Sequence, residues 1–428
     1  MRKFLVRFIP PALILLAVLV FLLCRERPAP VPKMTPSVPL SALAEKPDWS
    51  RLAAFQETIT RADFEHLLET IFTTGPVWKN YIRLTDVAAE IDTGETGKSF
   101  ILRFAPPGIV PQVPQRSWRS TAQLPPAPAG QPLHGIHIAI DPGHIGGEWA
   151  QIEARYLVVP GSPPVVEGDM TLLTAKLLKP RLEALGATVT LVRIKAEPVT
   201  PLRPDSLLAA ARESGAADSS EDAVHKFAER LFYRTAEIRA RAAVVNDTIK
   251  PDLVLCLHFN ADGWGNPFNP QLVPGNHLHL LVNGAYTDDE LRFADQRHAM
   301  LAKLLSGTFP EEAAIGADVA EVFAARTGMP PYQYPLQAAN ARPVHGNPYL
   351  WARNLLANRL YDCPVIFMEP YVMNSTVDHP RLAVGDYAGE REINGRVVPS
   401  IFREYADLLT EGLAKHYTET REITIGTQ

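Results

Sequence analysis

The segment Ile136-His-Ile-Ala-Ile-Asp-Pro-Gly-His144 joins an apolar, strand-like run to a tight turn that ends in a histidine. Four more apolar runs of this kind follow and alternate with helical patterns. The predicted strands span residues 136–141, 187–193, 252–258, 278–283 and 364–368. The predicted helices span residues 168–185, 234–246, 288–305, 311–325 and 400–416. This alternation predicts an α/β fold, a mainly parallel sheet with helices on both faces in three layers.

The N-terminal part of the chain predicts a membrane anchor followed by a spacer. Residues 1–7 carry three basic side chains and residues 8–24 are almost wholly apolar, at the low end of the length that crosses a bilayer. The residues before Cys24 are not the small ones that a cleavage site needs, so an uncleaved anchor over 1–27 is favoured over a removed signal peptide. A proline-rich linker over 28–45 would follow.

Two further regions precede the α/β part. Residues 46–105 predict a small α+β domain, for which the sequence gives no chemistry. Its predicted helices and strands span residues 51–60, 62–72, 81–84 and 99–104. Residues 106–133 form a second proline-rich linker, and residues 134–420 form the predicted catalytic domain.

Composition excludes several classes of protein. The net charge of −5 and the pI near 6.2 give no indication of a nucleic-acid partner. The three cysteines are widely spaced, so neither a disulfide framework nor a paired-cysteine metal site is available. Cys256 and Cys363 lie in or beside apolar runs and are expected to be buried free thiols.

Four polar side chains mark the ends of predicted strands or the start of a predicted helix. They are His144, Glu167, His258 and Glu369. Taken singly, His144 is as well explained by a turn and Glu167 by the dipole of the helix that follows. Together they are expected to meet, because an open α/β sheet binds its ligands at the carboxyl ends of its strands. Two histidines and a glutamate around Zn²⁺, with one position left for water, form the site of a zinc hydrolase.

Other polar residues near these positions extend the predicted site. Asn260 follows His258 closely and could fix its imidazole or hold a substrate carbonyl group. Glu148 and Glu153, in the loop after His144, are competing metal ligands.

The four segments, in this order, resemble the motifs of the zinc-dependent N-acetylmuramoyl-L-alanine amidases of the Amidase_3 type. Those motifs are a strand ending DPGHGG, a Glu that begins the next helix, a strand ending S-x-H-x-N-A and a strand ending E-x-G-F-x-S-N. In this chain the matching segments are Asp141-Pro-Gly-His144, Glu167-Gly-Asp-Met170, His258-Phe-Asn-Ala261 and Glu369-Pro-Tyr-Val-Met-Asn374. The resemblance covers residues 135–417, about two thirds of the chain.

The resemblance implies a set of roles for these residues. His144, Glu167 and His258 would bind Zn²⁺, and Glu369 would be the catalytic carboxylate. The bond cleaved would be the amide between N-acetylmuramic acid and L-alanine in peptidoglycan. The predicted membrane anchor supports this substrate, because it would hold the enzyme outside the cytoplasm, in the periplasm or cell envelope.

The last motif and two departures bear on the substrate. Asn374 falls on the motif asparagine and, with Asn260, is expected to bind substrate. Ile145 intervenes before the glycine pair, and Pro370-Tyr371 replaces the usual Gly-Phe pair. None of these changes removes a predicted ligand.

Two segments are longer than a connection requires, namely residues 198–234 and 307–347. Each is either a lid over the site or a surface elaboration without a regulatory role.

Two other functions stay open, and in both the protein would bind peptidoglycan of the cell wall. One is a different zinc peptidase that acts on wall peptides. The other is a non-catalytic wall-binding protein, which the presence of all four polar residues disfavours. Peptidoglycan and the membrane are the predicted partners, and the need for a protein activator is left open.

Overall fold

A seven-stranded mixed sheet lies at the centre of the computed structural model, which describes residues 38–216, 219–335 and 338–424. The predicted membrane anchor and most of the first linker fall outside these residues. Within them, no helix is both long enough and apolar enough to cross a membrane.

The strands and α-helices of the described residues are numbered in chain order. The strands are β1 (Ile82–Leu84), β2 (Ala88–Asp92), β3 (Ser99–Arg103), β4 (Ala127–Pro128), β5 (His137–Pro142), β6 (Tyr156–Leu157), β7 (Val165–Val166), β8 (Thr188–Leu191), β9 (Leu253–Leu257), β10 (Gly265–Asn266), β11 (Asn269–Pro270), β12 (Leu278–Val282), β13 (Arg342–Val344), β14 (Asn347–Ala352), β15 (Val365–Pro370), β16 (Glu390–Ile393), β17 (Arg396–Pro399) and β18 (Ile423–Thr424). The α-helices are α1 (Arg61–Leu67), α2 (Glu167–Ala184), α3 (Leu208–Ala211), α4 (Glu221–Leu231), α5 (Glu237–Ala243), α6 (Asp288–Leu291), α7 (Ala294–Ser306), α8 (Thr308–Thr327), α9 (Leu356–Leu360), α10 (His379–Ala383) and α11 (Ile401–Thr420).

The central sheet has the strand order β13-β14-β12-β15-β9-β5-β8. The pairs β5–β8, β5–β9, β9–β15 and β12–β14 are parallel, whereas β12–β15 and β13–β14 are antiparallel. All five predicted strands belong to this sheet. The sheet is mixed, with four parallel pairs and two antiparallel pairs. The connection from β9 to β12 carries the β10–β11 hairpin and no helix. A strand parallel to β9 would need a crossover connection, usually a helix. Because this connection has none, β12 runs in the opposite direction to β9 and pairs antiparallel with β15, which lies between them.

Helices cover both faces of the sheet, as the sequence predicts. Side chains alternate between the faces along each strand. Ile138 and Leu255 belong to the core that α2, α8 and α11 cover. Ala139 and Val254 belong to a second core on the opposite face, which α5 and α9 cover.

Several predicted helices have different boundaries in the structure. The helix predicted at 288–305 is interrupted at Arg292 and Phe293, between α6 and α7. The capping box of Thr287 and Glu290 starts α6, and the backbone amide of Ala294 donates instead to Pro39 near the start of the described chain. This contact is remote in sequence, so local periodicity does not predict the interruption.

The region predicted as a small α+β domain contains α1 and an antiparallel sheet of β1, β2 and β3. Its backbone is bonded to the segment after β12. Ala285 N donates to Ile71 O at 2.8 Å, and Tyr286 N donates to Phe72 O at 2.8 Å. All described residues belong to one compact unit that begins at Val38. The proposed domain boundaries stay a prediction.

Candidate metal centre

His144, Glu167 and His258 come together at the edge of the sheet where β5 and β9 end and α2 begins. Each residue offers a ligand atom, and these atoms lie within 4.8 Å of one another. His144 Nε2 is 3.2 Å from Glu167 Oε2, and His258 Nδ1 is 3.2 Å from Glu167 Oε1. The three predicted metal ligands are therefore neighbours, with the carboxylate between the two imidazoles.

The loop after β5 orients His144. His144 has a left-handed backbone with φ of 58°, which is uncommon for a residue other than glycine. The buried carboxylate of Glu153 accepts hydrogen bonds from the backbone amides of Ile145 and Gly146. Its Oε1 atom lies 3.6 Å from His144 Nδ1. At 3.6 Å this contact is longer than a hydrogen bond, so Glu153 lies near the ring nitrogen opposite Nε2 without being bonded to it. Glu153 thus lies behind His144, while Glu148 is exposed.

Two buried arginines hold the same loop through its carbonyl groups. Arg241 donates to His144 O at 2.7 Å and to the carboxylate of Asp141 at 2.9 Å. Arg193 donates to Pro142 O at 3.0 Å and to Gly168 O at 2.5 Å, which joins the loop to the first turn of α2. Neither arginine belongs to the site residues predicted from the sequence. Arg193 follows β8 and Arg241 lies in α5, and no motif connects them to the site.

Gly143 and Gly168 allow the motifs to approach each other closely. A Cβ atom added to Gly143 would lie 2.3 Å from the imidazole of His258. A Cβ atom added to Gly168 would lie 2.3 Å from the backbone nitrogen of Gly146. Both distances are well below van der Waals contact, so only glycine fits at these two positions.

The Gly143→Ala substitution is expected to weaken zinc binding, because the new methyl group must displace the His258 imidazole. Loss of ligand support commonly costs roughly 10- to 100-fold in metal affinity, and we expect a loss in this range. Titration of the purified protein with Zn²⁺ measures the effect. Gly275→Ala is the matched control, since the space around Gly275 is open. Equal zinc affinity of both variants would contradict the predicted role of Gly143.

The charges of the three residues suit a metal site. Burial raises the pKa of Glu167, but the neighbouring His144, His258 and Arg155 outweigh it and lower that pKa to about 2. Burial holds the pKa of His144 well below its usual value, so its imidazole is neutral. Burial lowers the pKa of His258, but its hydrogen bond to Glu167 and the nearby carboxylates of Glu369, Glu167 and Asp141 together outweigh burial and raise that pKa. An ionised carboxylate beside imidazoles is the donor set that binds a divalent cation.

Arg155 shares the same ligand atoms. Its Nε lies 3.1 Å from Glu167 Oε2 and 3.2 Å from His144 Nε2. The distance of 3.2 Å from each imidazole nitrogen to a Glu167 oxygen is close to the separation of about 3.4 Å between tetrahedral zinc ligands with bonds of roughly 2.0–2.1 Å. A metal ion and the guanidinium would compete for these atoms. Arg155 is about one-third exposed at the edge of a cavity, so its side chain has room to turn away.

A cavity of about 440 Å³ opens beside the three residues, and Glu369 lines it. Glu369 lies in β15 next to the strand that leads to His258, whose backbone amide donates to Met368 O. Burial raises the pKa of Glu369 to about 7, with His258 opposing and Glu167 adding to the increase. A carboxyl group with such a pKa can exchange a proton near neutral pH. Its catalytic role stays a prediction.

The two predicted substrate-binding asparagines lie in different surroundings. Asn260 lines the cavity, and its Nδ2 lies 3.2 Å from His279 Nδ1. Asn374 is fully buried, accepts from the backbone of Asp262 and donates to the backbone of Gln271. Asn374 therefore fixes the loop between β9 and β12 and is not part of the cavity lining. Substrate binding by either asparagine stays a prediction.

One wall of the cavity was not predicted from the sequence. It is formed by His279, Tyr332, Tyr334 and Arg353. His279 lies opposite Glu369 in the register of β12 and β15. The signal that could have found it is a histidine inside the otherwise apolar run 278–282.

The two long segments have different relations to the site. Tyr332 and Tyr334 belong to the second segment and line the cavity. The first segment, over 198–234, packs on the inserted Ile145 and on Trp149, whose ring lies 5.1 Å from that of Phe232. The proposed lid function of both segments stays a prediction.

No protein-family model and no curated protein matches the chain. Among solved structures, it is similar to the N-acetylmuramyl-L-alanine amidase Ami1 from Mycobacterium smegmatis, with 19% identity over 67% of this chain and 99% of that chain and a TM-score of 0.37. AmiC2 of Nostoc punctiforme matches with 15% identity over 66% of this chain and 96% of that chain, and a TM-score of 0.34. The CwlD amidase from Clostridioides difficile, solved in complex with the GerS lipoprotein, matches with 11% identity over 67% and 98% and a TM-score of 0.36. The chain resembles the N-acetylmuramoyl-L-alanine amidases, and its four motifs carry that resemblance.

Proposed function

We propose that this protein is a zinc-dependent hydrolase that cleaves the amide between N-acetylmuramic acid and L-alanine in peptidoglycan. The observation that carries the proposal is the cluster of His144, Glu167 and His258, whose ligand atoms lie within 4.8 Å of one another. Glu369 lines the cavity that these three residues share, which supports hydrolysis over metal binding alone. The resemblance of the four motifs to the zinc amidases supports the choice of bond.

The two imidazoles and the Glu167 carboxylate would hold the zinc ion, with Glu153 holding the loop that carries His144 through the backbone amides of Ile145 and Gly146. Zinc bound there would supply the Lewis acidity that polarises a carbonyl group and activates water. Three protein ligands leave one tetrahedral position for this chemistry.

Glu369 would act as the general base and then as the general acid. Its carboxylate would accept a proton from the attacking water and deliver it to the nitrogen of the leaving L-alanine. Asn260 lies in the same cavity, where its amide could hold a substrate carbonyl group. The cavity volume of about 440 Å³ suits a sugar–peptide junction, since ligand pockets commonly enclose roughly 300–1,000 Å³.

We also propose that the body of the protein acts outside the cytoplasm, in the periplasm or cell envelope. The support is the basic and apolar N-terminal sequence with the proline-rich residues that follow it. Most of these residues lie outside the described structure, and the support comes from sequence alone.

Digestion of purified peptidoglycan by the zinc-loaded full chain tests the proposed function. Mass spectrometry should detect free peptides that begin with L-alanine, together with glycan strands that have lost their peptides. Shortened peptides that stay attached to muramic acid would instead indicate a zinc peptidase. Co-sedimentation with the wall without any released product would indicate a binding protein. Either of the last two results would overturn the proposal.

A further inference from the structure

We infer that Arg353 binds a carboxylate of the peptide part of the substrate and so sets the preference of the enzyme among wall peptides. The inference rests on the proposed function, because it assigns the peptide to one wall of the same cavity. It concerns specificity, since Arg353 belongs neither to the predicted metal ligands nor to the groups proposed to move protons.

The strand register brings Arg353 to the face of the sheet that carries Glu369. His279 lies opposite Glu369 in the β12–β15 pair, and Leu281 lies opposite Trp351 in the β12–β14 pair. Alternate residues of a strand point to the same face. Leu281 therefore shares the face of His279, and Arg353, two residues after Trp351, shares it as well.

The cavity extends along this face from the metal cluster to Arg353. His258, Glu369, His279, Tyr334 and Arg353 all line it. The strand β12 separates β15 from β14, so Glu369 and Arg353 come from strands about 10 Å apart, two spacings of roughly 4.8 Å. The register also places Arg353 four residues further along the sheet than Glu369, about 13 Å, so their backbone positions are about 16 Å apart. Because both side chains line one cavity, a carboxylate of the peptide that follows the scissile amide would meet Arg353 at the end of the cavity away from Glu369.

The charge of Arg353 is not matched by a carboxylate. The other cavity arginine, Arg155, is paired with Glu167 at 3.1 Å, whereas no carboxylate among the described residues lies within 4 Å of Arg353. The one side-chain hydrogen bond of Arg353 runs from Nη1 to the hydroxyl of Tyr334 and is long, at 3.4 Å. A guanidinium carries five donors in a planar fork that matches a carboxylate. Arg353 lines the cavity, and the bond to Tyr334 is its one hydrogen bond to a described side chain.

The electrostatic effect of Arg353 reaches the reacting end of the cavity. Burial, with His277 and Arg353 adding to it, lowers the pKa of His279 to about 3, so this histidine is neutral and adds no competing charge. Tyr332 stacks on His279 with ring centroids 4.8 Å apart, and Tyr334 stands edge-on at 5.7 Å. The wall thus combines flat aromatic surfaces with a single cation. This combination suits a peptide backbone that bears an anionic group.

Binding of muramyl peptides to zinc-loaded Glu369→Gln protein tests the inference, because that substitution is expected to preserve the substrate during the measurement. The probes are N-acetylmuramyl-L-alanyl-γ-D-glutamyl-L-lysine and the same peptide with both carboxyl groups amidated. Isothermal titration calorimetry should show that the free acid binds roughly 10- to 100-fold more tightly, the range for a charge-assisted hydrogen bond.

Three further variants, each in the Glu369→Gln protein, separate binding from structure. Arg353→Gln should remove the preference by weakening binding of the free acid, with little change for the amidated peptide. Arg353→Lys should restore part of the preference, because it keeps the charge but not the fork. Arg391→Gln, at an exposed arginine on β16, should behave like the parent.

Equal weakening of both peptides by Arg353→Gln would overturn the inference and indicate a structural role. Equal binding of the two peptides by the parent protein, or no binding of either, would overturn it as well. Cleavage is measured separately with Glu369 intact. An Arg353-dependent preference in a protein that releases no L-alanyl peptide would leave the inference standing and overturn the proposed function.

Discussion

Replacement of Glu369 by alanine is expected to lower the rate of amide hydrolysis by roughly 10²- to 10⁴-fold, the range of general acid–base catalysis, while the protein keeps its zinc. The reason is the division of roles at the site. Glu369 lines the cavity, whereas the cluster of ligand atoms consists of His144, Glu167 and His258. Release of L-alanyl peptides, followed by mass spectrometry, measures turnover, and elemental analysis of the same sample measures zinc.

Two further variants complete this experiment. Glu369→Gln keeps the size of the side chain but cannot accept the proton, so it should lose as much activity as the alanine variant. Glu392→Ala, at an exposed glutamate on β16, should retain full turnover. Substantial hydrolysis by Glu369→Gln would show that another group acts as the base.

Replacement of Glu167 by alanine is expected to remove both the metal and the activity. Glu167 contributes the only carboxylate of the cluster and contacts both imidazoles, at 3.2 Å each. Without it, the two histidines would face a divalent cation with no negative charge to balance it. The zinc content after dialysis should fall from near stoichiometric to near zero, and peptide release should fall with it.

Asp169 provides a matched control on the same helix turn. Its carboxylate also lies in the first turn of α2, but it accepts a hydrogen bond from the backbone amide of Gly147 and does not belong to the cluster of His144, Glu167 and His258. Asp169→Asn keeps an oxygen for that hydrogen bond and should keep its zinc. If Glu167→Ala retained as much zinc as Asp169→Asn, Glu167 would not be a ligand and the proposed centre would be wrong.

The part of the site that the sequence predicted depends on local patterns and on one rule of sheet architecture. His144 and His258 follow apolar strands, and Glu167 precedes a helix, so each position is readable from neighbouring residues. Because β5 and β9 are parallel neighbours, their carboxyl ends meet and the three side chains converge.

The part that was missed depends on contacts between distant segments. His279 and Arg353 enter the cavity because β12 runs antiparallel to β15 and carries β14 with it. A short apolar run does not reveal the direction in which its strand will pair. Similarly, the motif position of Asn374 gives its place in the chain but not the orientation of its side chain, which lies between two backbone segments.

The hydrogen bonds between residues 71–72 and 285–286 have a practical consequence for dissection of the protein. Phe72 and Tyr286 are almost fully buried, and Ala285 and Tyr286 use their backbone amides in these bonds. A truncated protein that starts at residue 134 would lack Phe72, expose the ring of Tyr286 and leave these amides to water. Such a fragment would expose apolar surface that is prone to aggregation. The N-terminal region therefore has to be retained in any shortened version made for biochemistry.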